Sequence, residues 1–161
     1  TIPIVVCRGF TSISFLHDFK LRLQNYQDKE PTMLYFGDFD PSGKEMLPAM
    51  KTTLQNEMGR WGIDFKRIAL TPEQIDMYNL PNNPRALKST DTRAQKHIEK
   101  YGPLAVELDA LRPDILTDIV TNAIENEIDM DLFHKEKEIE EQEFDKLNNL
   151  KDKVKNLIGR V

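Results

Sequence analysis

The hydrophobic pattern of the first 70 residues alternates between short apolar runs and helical repeats. Three short runs predict strands: Ile2–Cys7, Thr32–Gly37 and Asp64–Leu70. The β-branched first run and the second run are typical of buried strands. Between them, apolar residues recur every three or four positions after a cap at Thr11 or Ser12, and again after Pro41. This β-α-β-α-β order predicts an α/β fold with a mostly parallel sheet flanked by helices.

Beyond the third run the pattern is less regular. Thr71-Pro72 is typical of a helix start, and the prolines and asparagines of Asn79–Pro84 predict a loop. Residues 85–103 are basic and only weakly periodic, whereas Pro113–Ile128 carries apolar residues along one helical face. We therefore predict one α/β domain over residues 1–128.

The remaining segment, residues 129–161, predicts a charged helical extension. Leucines and valines recur at alternating spacings of three and four residues along its end: Leu147, Leu150, Val154, Leu157 and Val161. This seam spans about two heptads, fewer than the three or four that are typical of a coiled coil. It favours a helix that packs on its own domain or on a partner protein, and a homodimer formed through residues 147–161 is the alternative.

Composition and charge exclude several classes of protein. No stretch approaches the roughly 18 consecutive apolar residues of a membrane span. The single cysteine excludes a disulfide framework and a thiolate zinc site, and it favours a reducing location. Residues 1–103 carry a net charge of +2 and residues 104–161 a net charge of −7. We therefore predict a cytoplasmic protein with no membrane partner, whose first part suits a polyanion.

The most informative residues are Gly37-Asp38-Phe39-Asp40-Pro41-Ser42-Gly43, directly after the second predicted strand. Ligands of doubly wound sheets bind beyond the carboxyl ends of the strands, and two aspartates in this spacing can direct both carboxylates at one spot. Mg²⁺ prefers such oxygen ligands, and the N–H groups of a helix that starts at Pro41 favour an anion. Asp38 and Asp40 are therefore candidate ligands of Mg²⁺ or Mn²⁺. The alternative is a turn in which an aspartate only caps the helix.

This run resembles the Asp-X-Asp motif of Toprim domains, the metal-binding modules of topoisomerases, primases and some nucleases. Five further stretches resemble the Toprim region of proteins akin to the topoisomerase VI A subunit. They are Arg8-Gly9-Phe10-Thr11-Ser12, Thr71-Pro72-Glu73-Gln74-Ile75, Tyr78-Asn79-Leu80-Pro81, Thr90-Asp91-Thr92-Arg93 and Val106-Glu107-Leu108-Asp109-Ala110-Leu111. The resemblance implies a Rossmann-like Toprim fold, a divalent metal held by Asp38 and Asp40, and a nuclease or topoisomerase-like action on DNA phosphodiesters.

Two family features are missing from this sequence. Toprim domains also use a glutamate at the end of an earlier strand as general acid/base or third ligand, but no glutamate precedes Glu30. We expect that strand to lie upstream of the chain, so that the chain alone is inactive. Glu107 or Asp109 is a candidate for the third metal ligand, and the alternative for either residue is a cap or a salt bridge. The tyrosine-bearing winged-helix domain of topoisomerase VI is also absent, so this chain is not expected to break and rejoin DNA.

A basic stretch within residues 85–100 is a candidate surface for DNA. Lysine and arginine neutralise backbone phosphates without reading sequence, and a solvated loop is the alternative. The candidate residues are Arg85, Lys88, Arg93 and Lys96. The three histidines lack metal-ligand spacing and are expected at the surface.

The sequence is compatible with two other functions. A phosphotransferase of the haloacid-dehalogenase type also places Asp-X-Asp after a strand, with Asp38 as nucleophile and Asp40 as acid/base. Pro41-Ser42 fits that motif poorly, and no convincing later acidic pair follows. A non-catalytic scaffold would instead use the 147–161 helix to bind its partner.

Overall fold

The computed structural model describes residues 2–7, 9–26, 29–87 and 92–158. The fold is mixed α/β and 63% helical, with a small parallel sheet flanked by helices. The elements are α1 (Ile13–Leu23), β1 (Thr32–Phe36), α2 (Pro41–Thr52), β2 (Asp64–Ala69), α3 (Pro72–Met77), α4 (Thr92–Tyr101), α5 (Pro113–Glu125) and α6 (Met130–Ile158). The chain divides into two compact units, Thr1–Ala123 and Ile124–Val161.

The sheet of the first unit confirms the predicted parallel connection. β1 and β2 pair in parallel with Tyr35 opposite Arg67, and the register then shifts so that Phe36 lies opposite Ala69. The intervening helix α2 begins at Pro41, because Pro fits a first helical position and Asp40 caps the helix. Parallel strands joined through a helix bring their carboxyl ends to the same edge of the sheet, which is where the acidic turn lies.

The prediction of a first strand over Ile2–Cys7 is wrong. Residues 2–7 form neither helix nor strand, and the side chains of Ile4 and Val6 are each 84% exposed. A β-branched run becomes a strand only where a neighbouring strand pairs with its backbone, and Pro3 removes one of the donors that such pairing needs. In the described part of the chain, the sheet consists of β1 and β2 alone.

A buried cluster of the first unit gathers around the segments that follow the two strands. Its members are Phe39, Ala69, Leu70, Ile75, Val106 and Leu111. Phe39, the middle residue of the acidic turn, is 0% exposed. The turn is therefore fixed to the core by its central side chain.

Helix α4 occupies a stretch for which the sequence predicted no regular element. Its buried residues Ala94 and His97 are three positions apart, while most other positions are polar and exposed, so the apolar period is short and weak. His97 is 5% exposed, and its Nε2 lies 2.7 Å from the carbonyl oxygen of Leu104. The prediction of a surface position is therefore wrong for His97.

The second unit is dominated by α6, a single helix of 29 residues. From residue 131 to residue 156 every side chain is exposed except the half-buried Asn148. Among the residues that the structure describes, no helix combines the length and apolar character that crossing a membrane requires.

Candidate metal-binding site

The Asp-X-Asp turn leaves β1 as extended chain. Phe39 forms an antiparallel bridge with Val106, with N···O distances of 2.7 and 3.0 Å. Successive side chains of an extended chain point to opposite faces, so the burial of Phe39 directs the carboxylates of Asp38 and Asp40 to the other face. Both aspartates are half-buried. The two predicted metal ligands therefore lie on the same side of the turn.

Each aspartate also accepts a hydrogen bond from the main chain. Asp40 Oδ1 accepts from the Gly43 N–H at 2.6 Å and so caps α2, and Asp38 Oδ1 accepts from the Leu108 N–H at 2.8 Å. A carboxylate has two oxygens with about four acceptor positions. These two bonds therefore use one oxygen of each carboxylate and do not involve Oδ2. The capping role that the sequence allowed for an aspartate is real for Asp40.

The guanidinium of Arg67 holds the turn from the β2 side. Its nitrogens donate four hydrogen bonds to main-chain carbonyls, those of Gly37, Asp38, Gly43 and Leu70. Burial lowers the pKa of Arg67, and the neighbouring Asp38 and Asp40 carboxylates oppose that shift. Because arginine stays protonated in proteins, a half-buried positive charge stands beside the acidic pair and partly balances it.

Gly43 lets the first turn of α2 approach the acidic turn. A Cβ at this position would lie 2.3 Å from the carbonyl oxygen of Asp38, so any larger residue must displace backbone. The Tyr35 hydroxyl donates to the Gly43 carbonyl at 3.2 Å, and burial raises the pKa of Tyr35 and keeps it protonated as a donor. Tyr35, Arg67 and Gly43 thus fix the position of Asp38 relative to the helix.

The loop that follows Val106 supplies no third ligand. Glu107 and Asp109 are exposed, and Glu107 Oε1 accepts from the Asn83 side-chain amide at 3.1 Å. Across the described residues, no three His, Cys, Asp or Glu side chains form a group that could hold a metal ion. The turn therefore offers two side-chain carboxylates, which is the number that Mg²⁺ commonly takes from protein with water completing its shell.

Basic side chains line the neighbouring helix α4. Arg93, Lys96 and Lys100 follow one another at spacings of three and four residues, which places them on one helical face. Lys96 and Lys100 are exposed, whereas Arg93 is half-buried with its guanidinium 5.1 Å from the Phe10 ring centroid. Arg85 is exposed on the short turn Pro84–Ala86. Lys88 lies outside the described residues.

Lys44 connects this basic face to the acidic turn, and no pattern in the sequence singles it out. Its Nζ lies 4.6 Å from the ring centroids of both Phe39 and Tyr101. Burial opposes ionisation of the Tyr101 phenol, but hydrogen bonds with Lys44 and Lys100 outweigh it and lower the pKa of Tyr101. Positive charge thus continues from α4 to the first turn of α2.

Sequence reasoning also missed Arg67. The available signal was the charge of Arg67, the fourth residue of β2, directly before the apolar residues Ile68-Ala69 that end the strand. A charged residue there is rarely buried unless it has partners, which points to carbonyls or carboxylates nearby. The identity of those partners depends on the fold and not on the local sequence.

Comparison with known proteins identifies neither the site nor the family. The chain matches no protein-family model, no curated protein and no solved structure.

Proposed function

We propose that the acidic turn binds Mg²⁺ or Mn²⁺ through Asp38 and Asp40, in a Toprim-type domain that acts on DNA phosphodiesters as a nuclease or topoisomerase-like protein. The observation that supports this most is the full burial of Phe39, the middle residue of the extended turn, because side-chain alternation then directs Asp38 and Asp40 to the opposite face. The turn follows β1 and precedes the N-terminus of α2, the position at which α/β proteins bind their ligands.

The residues around the turn suit a phosphodiester. A divalent ion at the two carboxylates would neutralise charge on a phosphate oxygen. The N-terminus of α2 and the Lys44 ammonium add positive potential beside it. Arg67 holds the turn in shape through its bonds to main-chain carbonyls. Lys96 and Lys100 are exposed and present positive charge to phosphates farther along a strand.

The DNA part of the proposal predicts that the double variant Lys96→Gln/Lys100→Gln binds a duplex oligonucleotide more weakly and with a shallower salt dependence. Each lost phosphate contact reduces the slope of log K against log salt by about 0.9. Fluorescence anisotropy over a range of salt concentrations measures both quantities.

A matched control removes the same charge from the second unit. Lys135→Gln/Lys137→Gln changes two exposed lysines of α6 and is expected to leave the slope unchanged. Equal losses in the two double variants would show that net charge alone, and not the α4 face, governs binding.

A second candidate function is a metal-free scaffold. The main-chain amides of Gly43 and Leu108 bond to the two aspartates, and this favours a purely structural role for the acidic pair. The two candidates differ in whether the negative charge of the aspartates is needed or only their capacity to accept a hydrogen bond.

Substitutions at Asp40 separate these roles. Asparagine caps helices about as well as aspartate, whereas alanine costs about 1 kcal/mol of stability at a cap. We expect Mg²⁺ or Mn²⁺ to raise the melting temperature of the wild type, since a ligand at 100 times its Kd stabilises by about 2.7 kcal/mol. Asp40→Asn should keep the stability of the metal-free protein and lose this increase, whereas Asp40→Ala should lose both.

Asp76→Asn serves as the control for this experiment, because Asp76 is exposed on α3. It should retain the full metal-dependent increase. If Asp40→Asn responds to metal as strongly as the wild type, the scaffold is the better account.

A further inference from the structure

Helix α6 exposes a stripe of large apolar side chains in its second half. Phe144, Leu147, Leu150 and Val154 are 62, 63, 59 and 52% exposed. Most helices owe their stability to the packing of an apolar face rather than to intrinsic propensity. A stripe of this size on a helix whose side chains are almost all exposed predicts that another surface covers it.

The charges of α6 are separated along its length. Residues 136–145 contain six acidic side chains and one basic, and residues 146–155 contain four basic and one acidic. In a parallel pair of such helices, like charges would lie at the same level and repel. In an antiparallel pair, the acidic half of one helix would lie beside the basic half of the other.

We propose that the partner of α6 is α6 of a second copy of this chain, packed antiparallel about a two-fold axis that crosses the helix between Asp145 and Lys146. This register places Phe144 level with Leu147 of the other copy. It also places Lys151 level with Glu140 of the other copy. The inference is independent of the proposed metal site.

One helical face carries all the residues that this register uses. Glu140, Phe144, Leu147 and Lys151 follow at spacings of four, three and four residues, which is the period of a helix–helix seam. By symmetry the apolar centre, made by Phe144 and Leu147 of both copies, is flanked on each side by one Lys151–Glu140 pair. Self-complementary contacts of this kind close the assembly as a dimer.

Charge reversal tests the pairing by analytical ultracentrifugation. The wild type should dimerise reversibly. Lys151→Glu should raise the dimer dissociation constant at least about tenfold, because like charges would then face each other twice. Adding Glu140→Lys to that variant should restore dimerisation. Lys153→Glu makes the same change in net charge about 200° around the helix from Lys151 and should have a smaller effect.

Cysteine cross-linking tests the orientation in a Cys7→Ser background. Chains carrying Glu140→Cys should form a disulfide-linked dimer only when mixed with chains carrying Lys151→Cys. Cross-linking of each variant with itself would indicate a parallel pair and overturn the proposal. A wild type that stays monomeric at all concentrations, or a stable complex only with a different protein, would overturn it as well.

Discussion

Replacing Arg67 with methionine is expected to destabilise the first unit by about 3–5 kcal/mol, as large an effect as any single substitution of a polar residue here. Methionine fills a similar volume but donates no hydrogen bond, so four main-chain carbonyls lose the guanidinium as donor. The Gly37 and Gly43 carbonyls keep the Leu70 N–H and the Tyr35 hydroxyl, whereas those of Asp38 and Leu70 lose the donor described for them. Two of these carbonyls, those of Gly37 and Asp38, belong to the acidic turn itself. The variant should therefore also weaken any metal binding there.

Urea unfolding followed by circular dichroism measures this loss. Arg112→Met is the matched control, because Arg112 is exposed and paired with exposed Asp114, and such surface pairs contribute about 0–1 kcal/mol. Arg67→Lys should fall between Arg67→Met and the wild type, since it keeps the charge but cannot reach four carbonyls with one ammonium group. An Arg67→Met variant within about 1 kcal/mol of the wild type would contradict the role assigned to the guanidinium.

Replacing Phe39 with alanine is expected to cost about 3–5 kcal/mol. The side chain is fully buried, and its ring makes edge contacts with those of His97 and Tyr101 at centroid distances of 5.5 and 5.1 Å. The Lys44 ammonium lies 4.6 Å from the same ring. Alanine would leave a cavity at the junction of the acidic turn with α4 and would release the constraint that directs Asp38 and Asp40 to one side.

Thermal and urea unfolding of Phe39→Ala measure this cost directly. Trp61→Ala removes a larger aromatic side chain that is 59% exposed, and we expect it to cost less than about 1 kcal/mol. Equal effects of the two substitutions would show that Phe39 does not anchor the turn.

The local part of the fold is predictable from the sequence because its causes are local. Ser12, Asp40 and Thr71 each accept a hydrogen bond from a main-chain N–H three residues on, as capping residues do. Two short strands, β1 and β2, separated by an amphipathic helix, leave few arrangements other than a parallel pair. The prediction of these features requires only the spacing and the type of the residues.

The failed predictions involve partners distant in sequence. Ile2–Cys7 has the composition of a strand, but strand formation requires a free sheet edge beside it, which composition cannot reveal. His97 is a polar residue, but it is buried because the rings of Phe39 and Tyr101 pack against its imidazole. Helix α4 was not predicted because few residues of the basic stretch face the core, so the apolar period is weak.

The candidate site was predictable only where its causes are local. The pair Asp38 and Asp40 stands out in the sequence, and so does the capping role of the second aspartate. The bond from the Leu108 amide to Asp38 spans 70 residues, and the four bonds from Arg67 also depend on the pairing of β1 with β2. No local pattern encodes such contacts.

Electron paramagnetic resonance of Mn²⁺ tests the central claim most directly, because the signal of the free aqueous ion decreases as the ion binds. The full chain is titrated with Mn²⁺ beside the double variant Asp38→Asn/Asp40→Asn, and Mg²⁺ is then added as a competitor. Our account predicts that the wild type binds one Mn²⁺ that Mg²⁺ displaces, whereas the double variant binds none. Equal binding by the two proteins, or no binding by the wild type at millimolar Mn²⁺, would contradict it.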